Sequence, residues 1–259
     1  MSVPRWSRRI AGVIGVVLGV LMAIVPPPAQ ALAPRGEPAE RTERTERTER
    51  VMVAAPSLVP ASLQAGDSGP AVKSLQRRLT ALGYWCGPVD GRFGTLTRYA
   101  VIALQKAAGL PRTGVAGART QSALDRGVRP KARSNRGLVV EVSLAKQLLL
   151  VVRDGRVVTI LHTSTGSGRY YRSASGSLVR AITPRGSFRV LRQIDGWRHA
   201  RLGWLWRPKY YTSYGLAVHG FSSVPVYPAS HGCIRLHNRA MDLMWSRGYL
   251  PIGGRIVIY

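Results

Sequence analysis

The sequence predicts two domains in series: a small all-α domain of three helices, then a mainly β domain. Three observations predict this. Between about Leu63 and Leu124, apolar residues recur at helical spacing. From residue 137 onward they run in short strand-like segments with a period of two. Between the two patterns, Arg126 to Arg136 is basic and contains Pro130, the composition of a connecting segment. A chain of 259 residues has room for roughly two domains of about 100–150 residues, each with its own core.

Two segments precede the first core. Arg5, Arg8 and Arg9 stand before an apolar run from Ile10 to Val25, which is followed by three prolines and Ala29-Gln30-Ala31. This is the pattern of a secretory signal over residues 1–31, with cutting after Ala31. The run is shorter than the roughly 20 residues a spanning helix needs, so any membrane contact rests on this signal segment alone. Residues 32–60 read as a disordered tether. Arg41-Thr42-Glu43 repeats at 44–46 and 47–49, and alternating charge without an apolar face cannot build a core.

The helical domain is expected over residues 61–126. Val72, Leu75, Leu79 and Leu82 mark a first helix stopped at Gly83. Val89-Asp90-Gly91-Arg92-Phe93-Gly94 reads as a tight turn. Thr97 is placed to cap a second helix carrying Ala100, Val101 and Leu104 and ending at Gly109, and a third helix after Gly117 holds Thr120 and Leu124. Together with Gly66-Asp67-Ser68-Gly69, Leu75-Gln76, Gly83-Tyr84 and Gln105, these residues resemble the peptidoglycan-binding type-1 domain across the whole segment. The resemblance implies binding to wall glycan. Tyr84 and Arg92 are the residues we would look to for contact with it.

Residues 127–136 form the linker, and residues 137–259 the second domain. Leu138–Val142, Gln147–Val152 and Arg156–Ile160 read as strands, the last two joined by an Asp154-Gly155 hairpin turn. Further strands are expected at Gly186–Leu191, Gly215–His219 and Arg255–Tyr259. Asn238 is placed to cap a late helix carrying Ala240, Leu243 and Met244.

Chemistry concentrates in one run, Ser230-His231-Gly232-Cys233-Ile234-Arg235, with His219-Gly220 upstream. It sets a thiol, two imidazoles and a guanidinium around a glycine turn. A thiol is a useful nucleophile only when its thiolate is stabilised, and a nearby histidine is the common partner. A cysteine acyl-transfer site is therefore expected. Backbone N–H groups at Gly232 and Cys233 are the natural oxyanion donors. His231 reads equally as a substrate contact or a loop brace. Arg235 reads as a carboxylate ligand, a lock on the turn, or both. Ser230 reads sooner as a turn-forming hydroxyl than as a second nucleophile, and Trp197, Trp204, Trp206, Tyr210, Tyr211 and Tyr214 form an aromatic cluster, by default core, otherwise a groove wall.

With Leu144-Ala145-Lys146-Gln147-Leu148, Ser164-Thr165-Gly166 and Thr183-Pro184-Arg185-Gly186 in order before it, the run resembles the L,D-transpeptidase (YkuD-type) catalytic domain across nearly all of 137–259. That resemblance implies a β-sandwich or barrel-like fold. It implies Cys233 as nucleophile, His219 as its base, and the Gly220 backbone carbonyl as the group that orients the imidazole. The implied reaction attacks the third residue of a peptidoglycan stem, releases D-Ala and joins the acyl group to an acceptor amine of a second stem; water as acceptor would make it an L,D-carboxypeptidase, and a protein amine would attach protein to the wall. No bound cofactor or metal is required.

The formal charge is +26, from 38 Lys and Arg against 12 Asp and Glu. The basic residues are scattered, so we expect attraction to anionic wall polymers and no nucleic-acid role. Cys86 and Cys233 are expected to remain free, because a bridge would silence the thiol. Two other classes of function stand beside the enzyme: a zinc wall hydrolase using His219, His231, Cys233 and His237, and a non-catalytic wall-binding protein. His162, His199 and His237 otherwise read as surface or strand-packing residues.

Overall fold

The computed structural model describes residues 62–173 and 175–259; the expected signal and tether, residues 1–60, lie outside the described residues. Strand β1 (Ser62–Leu63) leads to helix α1 (Pro70–Ala81), then α2 (Thr95–Ala108), β2 (Ala116–Gly117), which pairs with β1, and α3 (Ala118–Asp125). In α1, Val72, Leu75, Gln76 and Leu79 are buried, the spacing of one helical face, and Gly83 with φ 84° ends the run. Helix α2 stops at Gly109 in the left-handed conformation. Its cap is Gly94, not the expected Thr97. Thr97 lies buried inside the helix, where its hydroxyl accepts a 3.0 Å hydrogen bond from Gln76 Nε2.

The β part opens with β3 (Leu138–Ser143), β4 (Leu148–Arg153) and β5 (Arg156–His162), an antiparallel meander. The β4–β5 turn has φ 46° at Asp154 and φ 78° at Gly155, the two positive angles such a turn needs. A hairpin, β6 (Tyr170–Arg172) and β7 (Leu178–Arg180), follows. Then come β8 (Gly186–Arg189), β9 (Arg192–Gln193), β10 (Trp197–Ala200), β11 (Gly203–Tyr210), β12 (Ala217–Phe221), β13 (Ile234–His237), α4 (Asn238–Ser246) and β14 (Arg255–Ile258). One sheet runs β5-β4-β3-β14-β8; the other runs β10-β11-β12-β13, with β9 also on β11. Asn238, the expected cap of the late helix, is instead its first residue. His237 caps it, Nδ1 accepting from the Arg239 N–H.

The two sheets enclose one core with α4, to which β3 and β4 contribute Val140, Val142, Leu149 and Val151. The opposite face of β4 and β5 carries Leu148, Leu150, Val152, Val157 and Ile160, and these pack into the core of the helical domain. That is why Leu148 to Val152 reads as an unbroken apolar run: both of its faces are covered. The helical domain also extends the sheet, since Ile160 N–H donates to the Gly83 carbonyl and Trp85 N–H to the Ile160 carbonyl. Residues 62–259 accordingly belong to one compact unit. Tyr84 is 0% exposed and donates its hydroxyl to the Val128 carbonyl at 2.8 Å, so the expectation that it touches glycan is corrected: its ring is sealed in this joint.

Candidate active site

β12 and β13 pair in parallel, with His219 opposite Arg235. Side chains alternate along a strand, so His219 and Phe221 on β12 share a face with Arg235 and with Cys233, which directly precedes β13. Fold and sequence meet here: two consecutive short strands, joined by the loop from 222 to 233, bring thiol, imidazole and guanidinium together.

His219 is buried, and its Nδ1–H donates to the Gly220 carbonyl at 2.9 Å. That bond leaves Nε2 as the free lone pair. Burial is the main cause pulling the imidazole down to about 4, aided by the Arg235 charge and opposed by the Gly220 carbonyl. Burial pushes the Cys233 thiol up, against the Ala217 backbone N–H and the Arg235 charge. Both directions favour a neutral thiol beside a neutral imidazole over a standing ion pair.

The turn holding Cys233 is tied from within. Ser230 Oγ donates to the Cys233 carbonyl at 2.5 Å and accepts from the Gly232 N–H at 3.0 Å. Thr183 Oγ1 donates to the Gly232 carbonyl at 2.7 Å. Gly232 has φ 129°, and a Cβ there would meet the Ile182 carbonyl oxygen at 2.8 Å, so no side chain fits. Ser230 is thus the brace it was expected to be. Of the two N–H groups expected as oxyanion donors, that of Gly232 is turned onto Ser230.

Cys233 and His219 open onto a cleft of about 500 Å³. Arg192, Arg198, Arg201 and Arg235 line it, and no lining residue is a carboxylate. The aromatic cluster divides between the expected roles: Tyr211 is buried in the core, whereas Trp204 and Tyr214, 56% and 73% exposed, stand in the cleft wall. Arg235 lies over the Phe221 ring at 4.6 Å and donates to the Ala229 carbonyl at 3.3 Å, so it locks the turn while presenting charge to the cleft. His231 is exposed and meets Tyr171 edge-on at 4.6 Å. These two residues stand between the first cleft and a second of about 540 Å³, and line both.

Two stretches of the chain match family models: a peptidoglycan binding domain over residues 68–124 and an L,D-transpeptidase catalytic domain over residues 137–258. The structure is similar to that of an L,D-transpeptidase from Xylanimonas cellulosilytica, at 52% identity and a TM-score of 0.74, covering 77% of this chain and 98% of that one. The chain belongs to the L,D-transpeptidase family. Among curated proteins it is similar to a spore cortex-lytic enzyme of Bacillus cereus, 41% identical over 76 residues. It is also similar to a probable N-acetylmuramoyl-L-alanine amidase of Bacillus licheniformis, 32% identical over 111 residues. The matches cover 29% and 42% of this chain, and the chain spans only 29% and 31% of those relatives' lengths.

Of the expected site residues, Cys233, His219, His231 and Arg235 line one cleft, Gly232 lies in the turn beside Cys233, and Gly220 accepts from His219; both cysteines are free. The set His219, His231, Cys233 and His237 does not converge as metal ligands; among the described residues no three His, Cys, Asp or Glu side chains do. His162 takes the strand-packing role, buried at the end of β5 with its ring 5.0 Å from that of Tyr99, and gains a partner the sequence did not show, Lys106. Sequence reading also missed Thr183 as a tie, although its motif was noticed, and missed Arg192, Arg198 and Arg201 in the cleft, whose signal was diluted by arginine everywhere.

Proposed function

We propose that this protein is an exported peptidoglycan L,D-transpeptidase in which Cys233 is the nucleophile and His219 the base, working at the cell wall. The observation that carries the reading is the Nδ1–H bond from His219 to the Gly220 carbonyl, which aims a basic Nε2 from the strand face that Cys233 shares. His219 takes the thiol proton as sulfur attacks the carbonyl of the third stem residue. The oxyanion is held by backbone N–H, Cys233 foremost; such donors contribute roughly 2.7–4 kcal/mol each in other acyl-transfer enzymes. As the tetrahedral intermediate collapses, the C–N bond to D-Ala breaks and the His219 imidazolium protonates the departing amine. An acceptor amine then attacks the thioester, gives its proton to His219, and the sulfur leaves to regain the proton. One peptide bond is broken and one is made.

The cleft arginines suit a donor stem bearing free carboxylates, and the second cleft at His231 gives an acceptor an approach to the same carbonyl. The helical domain supplies retention on wall glycan, helped by the positive charge of the chain.

The test is incubation with purified disaccharide-tetrapeptide and mass analysis of products. A Cys233-dependent dimer lacking one D-Ala supports transpeptidation. Monomeric tripeptide alone would make the protein an L,D-carboxypeptidase, with water in place of the amine.

A further inference from the structure

The loop from β12 to Ser230 is gripped by the helical domain. Tyr99 on α2 accepts the Val224 N–H at 2.9 Å, and Arg112, just beyond α2, donates to the Val226 carbonyl at 2.8 Å. Tyr99, Ile102 and Val224 form a small buried cluster of their own. A second grip lies beside it. Lys106, 3% exposed, donates to the Gln147 and Thr163 carbonyls, each at 2.9 Å, and to His162 Nδ1 at 2.7 Å. Those three acceptors use all three ammonium protons. His162 then carries its own proton on Nε2 and donates it to the Val224 carbonyl at 3.0 Å. Burial, aided by the nearby Arg112 charge, pulls Lys106 down to about 6, while three acceptors around the nitrogen suit its charged form.

Both grips lead to the reacting turn. Beyond Thr163, Ser164 Oγ donates to the Tyr227 carbonyl and accepts from Ala229 N–H. The Thr165 carbonyl accepts from Ala229 N–H and Ser230 N–H, both at 2.9 Å. Ser230 in turn braces Gly232 and Cys233. Tyr99 and Arg112 bond the loop backbone directly, and Lys106 reaches it through His162, so these contacts cross from the helical domain into the frame of Cys233.

We propose that the helical domain is a positioning element for catalysis, not only an anchor: Tyr99, Lys106 and Arg112 hold the loop that seats the Ser230–Cys233 turn. The proposal rests on Cys233 being the nucleophile. Loosening this grip lets the turn wander, which slows attack without changing how substrate enters the cleft.

The experiment uses the full chain and a soluble carbapenem, which needs no glycan binding, and follows Cys233 acylation by intact mass across reagent concentration. Tyr99→Phe with Arg112→Ala is compared with Thr120→Val, which breaks the helical domain's internal Gln105–Thr120 bond and touches no part of the loop. Melting temperatures are measured on each. The proposal expects the double variant to lose about 10-fold in limiting acylation rate with half-saturating concentration unchanged. It expects Thr120→Val to keep the wild-type rate despite a lowered melting temperature. An unchanged rate in the double variant, or an equal loss in Thr120→Val, overturns it. A wild-type adduct that persists in Cys233→Ala overturns both this proposal and the reading beneath it.

Discussion

Replacing Ser230 with alanine isolates the brace from the nucleophile. In the native turn Ser230 Oγ serves two backbone groups, the Gly232 N–H at 3.0 Å and the Cys233 carbonyl at 2.5 Å. Alanine leaves both without that partner. Gly232 N lies where water does not reach, while the Cys233 carbonyl is part-buried and recovers some solvation. An orphaned buried group costs about 1–3 kcal/mol, so the turn loses about 2–4 kcal/mol in all. If about 2 kcal/mol of this appears in the transition state, acylation slows about 30-fold. The full loss should lower the melting temperature by roughly 4–16 °C for a folded unit of this size. The assay is the limiting rate of carbapenem acylation, with intact mass to show that Cys233 still carries the adduct. A folded Ser230→Ala protein acylating at the wild-type rate refutes the bracing role. Complete loss of acylation, with Cys233 still alkylated by iodoacetamide, refutes it from the other side by giving Ser230 a chemical part.

Gly232→Ala meets a harder obstacle, the Ile182 carbonyl oxygen 2.8 Å from the new Cβ at a positive φ; we expect at least a 100-fold loss of acylation, measured in the same assay. His219, lowered by burial to about 4, remains neutral well below the usual histidine range, so the acid limb of the acylation rate should fall near pH 4 and not near 6.5. The sign for stability follows: between those values the unfolded state binds the extra proton. Stability is therefore unaffected above pH 6.5 and lost as pH falls toward 4, by about 3 kcal/mol from His219 alone, checked by urea unfolding at stepped pH against His219→Gln. Tyr84→Phe removes the donor to the Val128 carbonyl, and should cost about 1 kcal/mol in unfolding while leaving sedimentation with purified wall unchanged.

Much of the site was legible because its motif is local. Ser230 to Arg235 spans a turn and the start of a strand, and period-two alternation along Gly215–His219 already placed His219 on a strand. What sequence could not convey was packing between distant segments. Leu148 to Val152 reads as a strand, but nothing in the run says that the helical domain covers its second face. The same blindness misassigned Tyr84, whose neighbours resemble a glycan-binding module but whose ring closes the joint to the β part. His162 and Lys106 lie 56 residues apart, so only the fold makes them a pair. Cap assignments slipped by one to three residues, as at Thr97 and Asn238, because glycine and histidine took the capping place and freed the polar residues for other bonds.

The most direct test of the account is acid-quenched mass spectrometry of the protein caught turning over disaccharide-tetrapeptide. The account predicts an adduct equal to the donor minus D-Ala, mapped by proteolysis to the peptide holding Cys233 and absent from Cys233→Ala. An adduct on Cys86, or dimer formation that continues in Cys233→Ala, would contradict it.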